Sequence, residues 1–202
     1  MASLYASIAV LAALFQLTIH LNSCLAARTN LSKEANTQFI KTSCSSTVYP
    51  DVCFTTLSSY ASEIQASPKL LASTALSVTL NATRSASTTM IKRSKSQGMK
   101  PREAEALSDC MEELRDSVYE LQRSVGEMDQ PGGKNFGLQM NDIETWVSAA
   151  LTDEHTCMDG FSGKAMNGNV KNSVRSQIVK VAHMTSNALA LVNSYAAAVQ
   201  NP

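Results

Sequence analysis

The sequence has 202 residues with 17 basic and 17 acidic side chains, so its formal net charge is zero. A neutral chain argues against a nucleic-acid ligand and against attachment to a membrane surface. The basic residues within 91–98 fall at a predicted helix end, where they complement the helix dipole. A chain of this length is enough for one domain with a substantial core.

Residues 1–27 are expected to form a signal peptide. This segment contains no Asp, Glu, Lys or Arg, and its apolar core over residues 8–19 is shorter than the roughly 20 residues that a transmembrane helix needs. Small residues at its end suit cleavage after Ala26 or Ala27. Cleavage would also remove Cys24 and reduce five cysteines to four. The sequence therefore predicts a secreted protein with one domain over residues 28–202.

Two N-glycosylation sequons follow the signal segment. They begin at Asn30 and Asn81. Each is expected to carry a glycan only where its asparagine is exposed.

Residues 28–66 are predicted to form a helical hairpin. Two short stretches with helical spacing flank a turn over residues 45–50. Cys44 and Cys53 bracket this turn. A pair of short packed helices fits this pattern.

Residues 67–202 are predicted to form four long helices. The first begins at Pro68 and the second at Pro101, because proline is favoured at the first position of a helix. The third is predicted to begin at Asn141, which forms a capping-box pattern with Glu144. The fourth has a stripe of apolar residues: Val174, Ile178, Val181, Ala188, Val192, Tyr195 and Val199.

The second long helix has the clearest pattern. Its apolar side chains recur in alternating steps of four and three residues, a spacing used inside helical bundles. They are Leu107, Met111, Leu114, Val118, Leu121, Val125 and Met128. Four antiparallel helices joined by loops predict an all-α fold, an up-down-up-down four-helix bundle with an N-terminal helical hairpin.

The cysteines that remain after cleavage predict two structural disulfides. They are Cys44, Cys53, Cys110 and Cys157. An even number of cysteines in a secreted chain is typical of a disulfide framework, and sequence spacing alone allows three pairings. A zinc site would need paired cysteine or histidine ligands at close spacing, which this sequence lacks. No metal and no cofactor are expected.

The sequence has no pattern of catalytic residues. His155 and His183 fall on different predicted helices, and no serine or cysteine arrangement marks a nucleophile. A glycine-rich phosphate loop and a Gly-x-Ser-x-Gly elbow are both missing. We therefore expect a protein that recognises a partner and is not an enzyme.

An acidic stripe lies opposite the apolar face of the second long helix. Its members follow one another in steps of four, three and four residues: Glu105, Asp109, Glu112 and Asp116. Two interpretations are open. The stripe is either a solvated acidic face or a docking surface for a basic patch on a partner protein.

Over residues 37–198 the sequence resembles the plant invertase and pectin methylesterase inhibitors. The four cysteines together carry this resemblance, with segments 107–114 and 156–161 around the last two. The resemblance implies disulfides Cys44–Cys53 and Cys110–Cys157 in a four-helix bundle with an N-terminal hairpin. It also implies secretion to the apoplast or cell wall.

Two segments look more like the pectin methylesterase inhibitors than like the invertase inhibitors of this family. These are residues 116–121 and 146–152, and the chain lacks the Pro-Lys-Phe element in which cell-wall invertase inhibitors resemble one another. The resemblance thus implies an inhibitor that binds pectin methylesterase one-to-one and blocks its substrate cleft. The alternatives are inhibition of cell-wall or vacuolar acid invertase, and a structural secreted protein without an enzyme target.

The resemblance also suggests which residues contact the esterase. Family contact positions correspond to Glu112 and Asp116 in the second long helix, and to Thr156 and Asp159 around the last cysteine. Two of these four belong to the acidic stripe, which favours the docking interpretation. At one further acidic position of the family this chain has Tyr119, a departure expected to weaken or retune affinity.

Overall fold

Four long helices form the body of the structure, and a shorter helical segment precedes them. The computed structural model describes residues 32–163 and 168–200. The predicted signal peptide and Asn30 therefore lie outside the described residues. The preceding segment contains α1 (residues 32–44), α2 (Pro50–Leu57), a 3-10 turn (Ser58–Tyr60) and α3 (Ala61–Ile64). The long helices are α4 (Pro68–Ser94), α5 (Pro101–Met128), α6 (Phe136–Asp159) and α7 (Asn169–Gln200).

The four long helices pack in a ring that follows chain order. Helix α5 packs against α4 and α6, and α7 packs against α6 and α4. Each helix lies beside the next one in the chain, as in an up-down-up-down bundle. The predicted all-α bundle is confirmed, and the described residues contain no strand. None of the described helices has the length and apolar character required to cross a membrane.

Local sequence signals account for the starts of α4 and α5. Pro68 occupies the first turn of α4, and the Ser67 hydroxyl accepts a hydrogen bond of 3.3 Å from a first-turn backbone N–H. Pro101 has the same place in α5, where the Lys100 backbone N–H donates to the Glu103 carboxylate at 3.1 Å. Both predicted starts are confirmed.

The predicted start of α6 is wrong, because the helix begins at Phe136 and not at Asn141. Residues before Asn141 make tertiary contacts that a capping pattern does not reveal. The Gln139 amide donates to the backbone carbonyl of Glu127 at the end of α5. The Phe136 ring packs edge-on against Tyr195 of α7, with ring centroids 5.6 Å apart. These contacts stabilise an earlier first turn, and Asn141 is an exposed residue within the helix.

The predicted apolar stripes of α5 and α7 are largely but not wholly buried. Three stripe residues of α5 are only half-buried: Met111, Val118 and Val125. The residues that directly precede these three in the sequence face the bundle interior instead: Cys110, Ser117 and Ser124. On α7 the whole last turn is exposed, so Val199 of the predicted stripe lies on the surface.

The apolar core has a main cluster at each end of the bundle. At one end, the hairpin residues Ile40 and Leu57 pack against Leu76, Ile143 and Val192 of the long helices. At the other end, which we call the distal end, the cluster consists mainly of large apolar side chains: Met90, Leu107, Leu114, Phe161, Val174 and Ile178. Polar side chains are fully buried between these ends: Thr83, Ser117, Glu154 and Thr185.

The predicted helical hairpin is present and is joined to α7. The Cys44–Cys53 disulfide links the end of α1 to α2, as the resemblance implies. Tyr49 lies in the turn between these two helices and is hydrogen-bonded to Asn187 of α7. The Asn187 side chain accepts from the Tyr49 backbone N–H (3.0 Å) and donates to the Tyr49 carbonyl (2.9 Å). The Tyr49 ring also stacks on His183, with centroids 3.6 Å apart. Covalent, polar and aromatic contacts therefore hold the turn of the hairpin on the bundle.

Candidate functional site

Three of the four predicted contact residues lie together in one groove. Glu112 of α5 faces Thr156 and Asp159 of α6 across a space of about 370 Å³, which is also lined by Asp109 and Glu113. All three are exposed. The structure thus brings together side chains that are more than 40 residues apart in the sequence. We call this the acidic groove.

The fourth predicted residue, Asp116, is exposed on α5 just beyond the acidic groove. It follows Glu112 by four residues, a spacing that places both side chains on one face of the helix. The other stripe members, Glu105 and Asp109, are exposed as well. The stripe and the acidic groove therefore form one continuous acidic surface on α5 and α6.

The Cys110–Cys157 disulfide joins the two helices that form the acidic groove. Both cysteines are buried and their Cα atoms are 4.2 Å apart. The bond closes a sequence separation of 47 residues and belongs to the distal core, beside Leu114 and Phe161. It confirms the second pairing that the resemblance implies. Because it links α5 to α6 at the groove, it sets the position of Glu112 relative to Thr156.

Arg115 lies between two of the predicted contact residues. Its guanidinium is 3.4 Å from Glu112 Oε1 and 3.7 Å from Asp116 Oδ1. The side chains of all three are between 61% and 70% exposed. Exposed ion pairs of this kind contribute little energy, so Arg115 leaves both carboxylates available to a partner.

A second pair of carboxyl groups lies half-buried between α5 and α6. Burial raises the pKa of Glu120 to about 7; the neighbouring Asp153 and Asp116 carboxylates add to this rise, and Arg123 opposes it. Burial also raises the pKa of Asp153 to about 6, supported by the charges of Glu113 and Asp116. This pair therefore binds protons near neutral pH, unlike an ordinary surface carboxylate.

Glu154 is the most unusual acidic residue of the structure, because it is fully buried. Its Oε1 accepts hydrogen bonds from Ser117 of α5 (3.0 Å) and Thr185 of α7 (2.9 Å), and Oε2 has no partner among the described residues. Burial raises its pKa to about 8, although the two hydroxyl donors oppose this rise. Below about pH 8, Glu154 is therefore mostly protonated in the folded protein. Its hydrogen bonds link three helices.

The burial of Glu154 has a signal in the helical spacing of the sequence. The buried positions of α6 are spaced by four, three, four and three residues: Ile143, Val147, Ala150, Glu154 and Cys157. An acidic residue on an apolar stripe is expected to be buried and to have a raised pKa. The hydroxyl donors on α5 and α7 cannot be read from this pattern, because they are far away in sequence.

The α5–α6 face also carries aromatic and cationic side chains. Trp146 is half-buried on α6, and the Arg123 guanidinium of α5 lies over its ring, 4.0 Å from the centroid. Tyr119, one turn before Arg123, is 62% exposed, with its ring centroid 5.7 Å from the same guanidinium. We call these three residues the aromatic patch.

Asn81 and the two histidines are not among the residues that line the acidic groove. Asn81 is exposed on α4 and lines a shallow groove with residues of α2 and α7, on the opposite side of the ring of helices from α5 and α6. His155 is exposed, and burial together with the charge of His155 lowers the pKa of His183. Among the described residues, no group of three or more His, Cys, Asp or Glu side chains could hold a metal ion.

Comparison with known proteins identifies relatives of the chain. A family model described as plant invertase/pectin methylesterase inhibitor matches residues 38–191. A 21 kDa protein of Daucus carota is 55% identical over 163 residues, which cover 79% of this chain and 84% of that protein. Pectinesterase inhibitor 11 of Arabidopsis thaliana is 42% identical over 175 residues, which cover 85% of this chain and 87% of that protein.

A solved structure is similar in fold. It is the crystal structure of mutant form A of a pectin methylesterase inhibitor from Arabidopsis, with a TM-score of 0.61. The match covers 74% of this chain and 92% of that chain at 21% sequence identity. At this identity the match supports the helical bundle and not a particular activity.

Proposed function

The chain belongs to the plant invertase/pectin methylesterase inhibitor family, and on that premise we propose that it binds pectin methylesterase one-to-one and covers its substrate cleft. The family is described as one of inhibitors, in agreement with the expectation from the sequence that the chain is not an enzyme. Inhibition of this kind needs no chemistry on the inhibitor side, since a bound bundle excludes the polymeric substrate from the cleft.

The grouping of Glu112, Thr156 and Asp159 in the acidic groove is the observation that best supports this proposal. These residues and the adjacent Asp116 offer carboxylates and a hydroxyl to a basic, hydrogen-bonding surface. Complementary charge speeds encounter and sets orientation. An interface of standard size would bury roughly 1,600 Å² in total, which the faces of two long helices can supply.

Pectin methylesterase is the preferred target over acid invertase. Relatives that match most of this chain include one named as a pectinesterase inhibitor, at 42% identity. The family description includes invertase inhibitors, so acid invertase is the second candidate target and is assayed separately.

We place the protein outside the cell, in the apoplast or cell wall. Two disulfides in a domain of this size fit an oxidising compartment. The proposed signal peptide over residues 1–27 would provide export. A glycan on Asn81 would leave the acidic groove open, because Asn81 lies on the opposite side of the bundle.

A paired inhibition assay tests the proposed function. The full chain, secreted from a eukaryotic host and purified oxidised, is titrated against a plant pectin methylesterase and an acid invertase between about pH 5 and pH 7. We expect saturable loss of esterase activity at one inhibitor per enzyme, with invertase activity unchanged. Loss of only invertase activity would support the second candidate. No effect on either enzyme would contradict the proposal.

A further inference from the structure

The aromatic patch continues the acidic surface along α5. Tyr119 follows Asp116 by three residues, and Arg123 follows Tyr119 by four. These steps keep the side chains on the same face of the helix. Asp116, Tyr119 and Arg123 therefore place an acidic, an aromatic and a basic side chain in line over about two turns of α5, in the direction away from the distal end. Glu120 lies between Tyr119 and Arg123 in the sequence but is half-buried beside Asp153 of α6.

Arg123 differs from three other arginines of the bundle, which are hydrogen-bonded to side chains. Arg84, Arg93 and Arg115 each donate a hydrogen bond to a side chain. Arg123 has no ion pair among the described residues. Its guanidinium lies over two aromatic rings, and its charge opposes the raised pKa of Glu120. Stacking on Trp146 restricts the guanidinium while its N–H donors stay unpaired, so less conformational entropy is lost when it binds a carboxylate.

The composition of the aromatic patch is that of a protein interface centre. Tyrosine, tryptophan and arginine are the residue types most enriched among side chains that dominate binding energy. Tyr119 is also one of few large hydrophobic side chains that the described structure exposes by more than 60%. A partner that buries its ring gains apolar contact next to the acidic groove.

Charge decides between a protein and a pectin chain as the occupant. An acidic polysaccharide could stack on aromatic rings and pair with Arg123. However, Asp116 and Glu127 lie within about one turn of the aromatic patch on α5, and their charges would repel a polyanion. A folded protein surface can instead place one carboxylate at Arg123 and basic groups at Asp116.

We propose that Tyr119, Arg123 and Trp146 form a second contact site for pectin methylesterase, at which an apolar side chain of the esterase packs on Tyr119 and one of its carboxylates pairs with Arg123. This inference rests on the proposed function. With the acidic groove at one end and a cation at the other, the docking face has a direction. The aromatic patch thereby sets the orientation in which the inhibitor lies across the esterase.

Binding measurements with substituted inhibitors test this site. Tyr119→Ala and Arg123→Gln are titrated into the same esterase by calorimetry or surface plasmon resonance, beside the wild-type protein. We expect Kd to rise about tenfold or more for each, as for truncated side chains at interface centres. Arg123→Lys should show a smaller rise, because it keeps the charge and loses the planar stacking and the paired donors.

Matched controls separate a contact from a loss of structure. Arg175→Gln changes an exposed arginine on α7, which is not one of the two helices that carry the acidic groove and the aromatic patch, and should leave Kd unchanged. Thermal unfolding of every variant checks that the bundle is intact. Trp146→Phe keeps a ring beneath Arg123 and should give a smaller rise in Kd than Arg123→Gln.

Three results would contradict the second contact site, and each points to a different explanation. If the wild-type protein binds the esterase and both Tyr119→Ala and Arg123→Gln bind within twofold of it, the second site is wrong and the proposed function stands. If the wild-type protein does not bind the esterase, both proposals fail. If Arg123→Gln abolishes binding of polygalacturonate but leaves Kd for the esterase unchanged, the patch is a polysaccharide site instead.

Discussion

Glu112 and Asp116 are the residues through which the acidic groove can be tested most directly. Both are exposed carboxylates on one face of α5, and their pairing with Arg115 is weak because all three side chains are well solvated. Neither carboxylate has a role in the core. A change in their charge should therefore affect binding and leave the fold intact.

We expect Glu112→Lys and Asp116→Lys to weaken inhibition of pectin methylesterase by about tenfold or more, because each places a cation where a basic partner surface is proposed. The inhibition constant at low and at high salt measures this effect, and the loss should be smaller at high salt. Glu63→Lys is the matched control, since Glu63 is exposed on α3 in the hairpin. Unchanged inhibition by both α5 variants would count against the acidic groove.

The residue scale also shows where sequence reasoning stops. Glu112 and Asp116 can be assigned to an exposed face because helical spacing is local. Whether Thr156 and Asp159 face Glu112 depends on how α5 and α6 pack, which periodicity does not give. The same limit applies to Arg123 and Trp146, whose contact joins two helices at a distance of 23 residues in the chain.

At the scale of helices, the two disulfides have different roles. Cys110–Cys157 joins α5 to α6 at the acidic groove, whereas Cys44–Cys53 joins α1 to α2 at the other end of the bundle. In the chain-entropy model, the longer loop removes more freedom from the unfolded chain, about 4 kcal/mol against about 3 kcal/mol for the shorter one.

We expect replacement of Cys110 and Cys157 by serine to lower the free energy of unfolding by about 4 kcal/mol and to weaken binding of the esterase. Replacement of Cys44 and Cys53 should cost about 3 kcal/mol and leave the affinity of the folded protein close to that of the wild type. Denaturant unfolding and Kd at a temperature where both variants are folded measure the two effects. Unchanged affinity in the folded variant without Cys110–Cys157 would show that the groove does not depend on its own disulfide.

The helix boundaries show which parts of the fold are locally encoded. Pro68 and Pro101 start their helices as predicted, because a proline in the first turn acts through its own backbone. The start of α6 at Phe136 depends on Gln139 and on the Tyr195 ring, which are tertiary contacts. The capping-box pattern at Asn141 was therefore misleading, while the number and order of the long helices were predictable from spacing.

At the scale of the whole molecule, the bundle separates three features in space. The hairpin covers one end, the acidic groove lies at the distal end of the α5–α6 face, and Asn81 lies on the α4–α7 side. Between the two core clusters, Glu154 joins α5, α6 and α7 through hydrogen bonds to Ser117 and Thr185. The protonation of this one group therefore affects the association of three helices at once.

The sign of the pH dependence follows from the raised pKa values. The pKa of Glu154 rises from 4.5 to about 8, that of Glu120 from 4.5 to about 7, and that of Asp153 from 3.8 to about 6. Above its ordinary pKa each group ionises in the unfolded chain but stays protonated in the folded one. The unfolded state then binds fewer protons, so stability falls as pH rises through this interval.

We expect the free energy of unfolding to be highest near the ordinary pKa of a glutamate and to decline toward pH 8, by about 1.4 kcal/mol per pH unit for the proton of the fully buried Glu154. Glu120 and Asp153 are only half-buried, so solvent screening makes their contributions to this decline smaller. Glu154→Gln keeps an acceptor for Ser117 and Thr185 but cannot ionise. It should therefore reduce the slope of stability against pH by the contribution of about one proton. Denaturant unfolding at a series of pH values measures the slope, which is independent of any constant loss of stability in the variant. Glu105→Gln, on the exposed stripe, should keep the wild-type slope. If Glu154→Gln keeps it as well, the buried carboxyl group is not what links the stability of the bundle to pH.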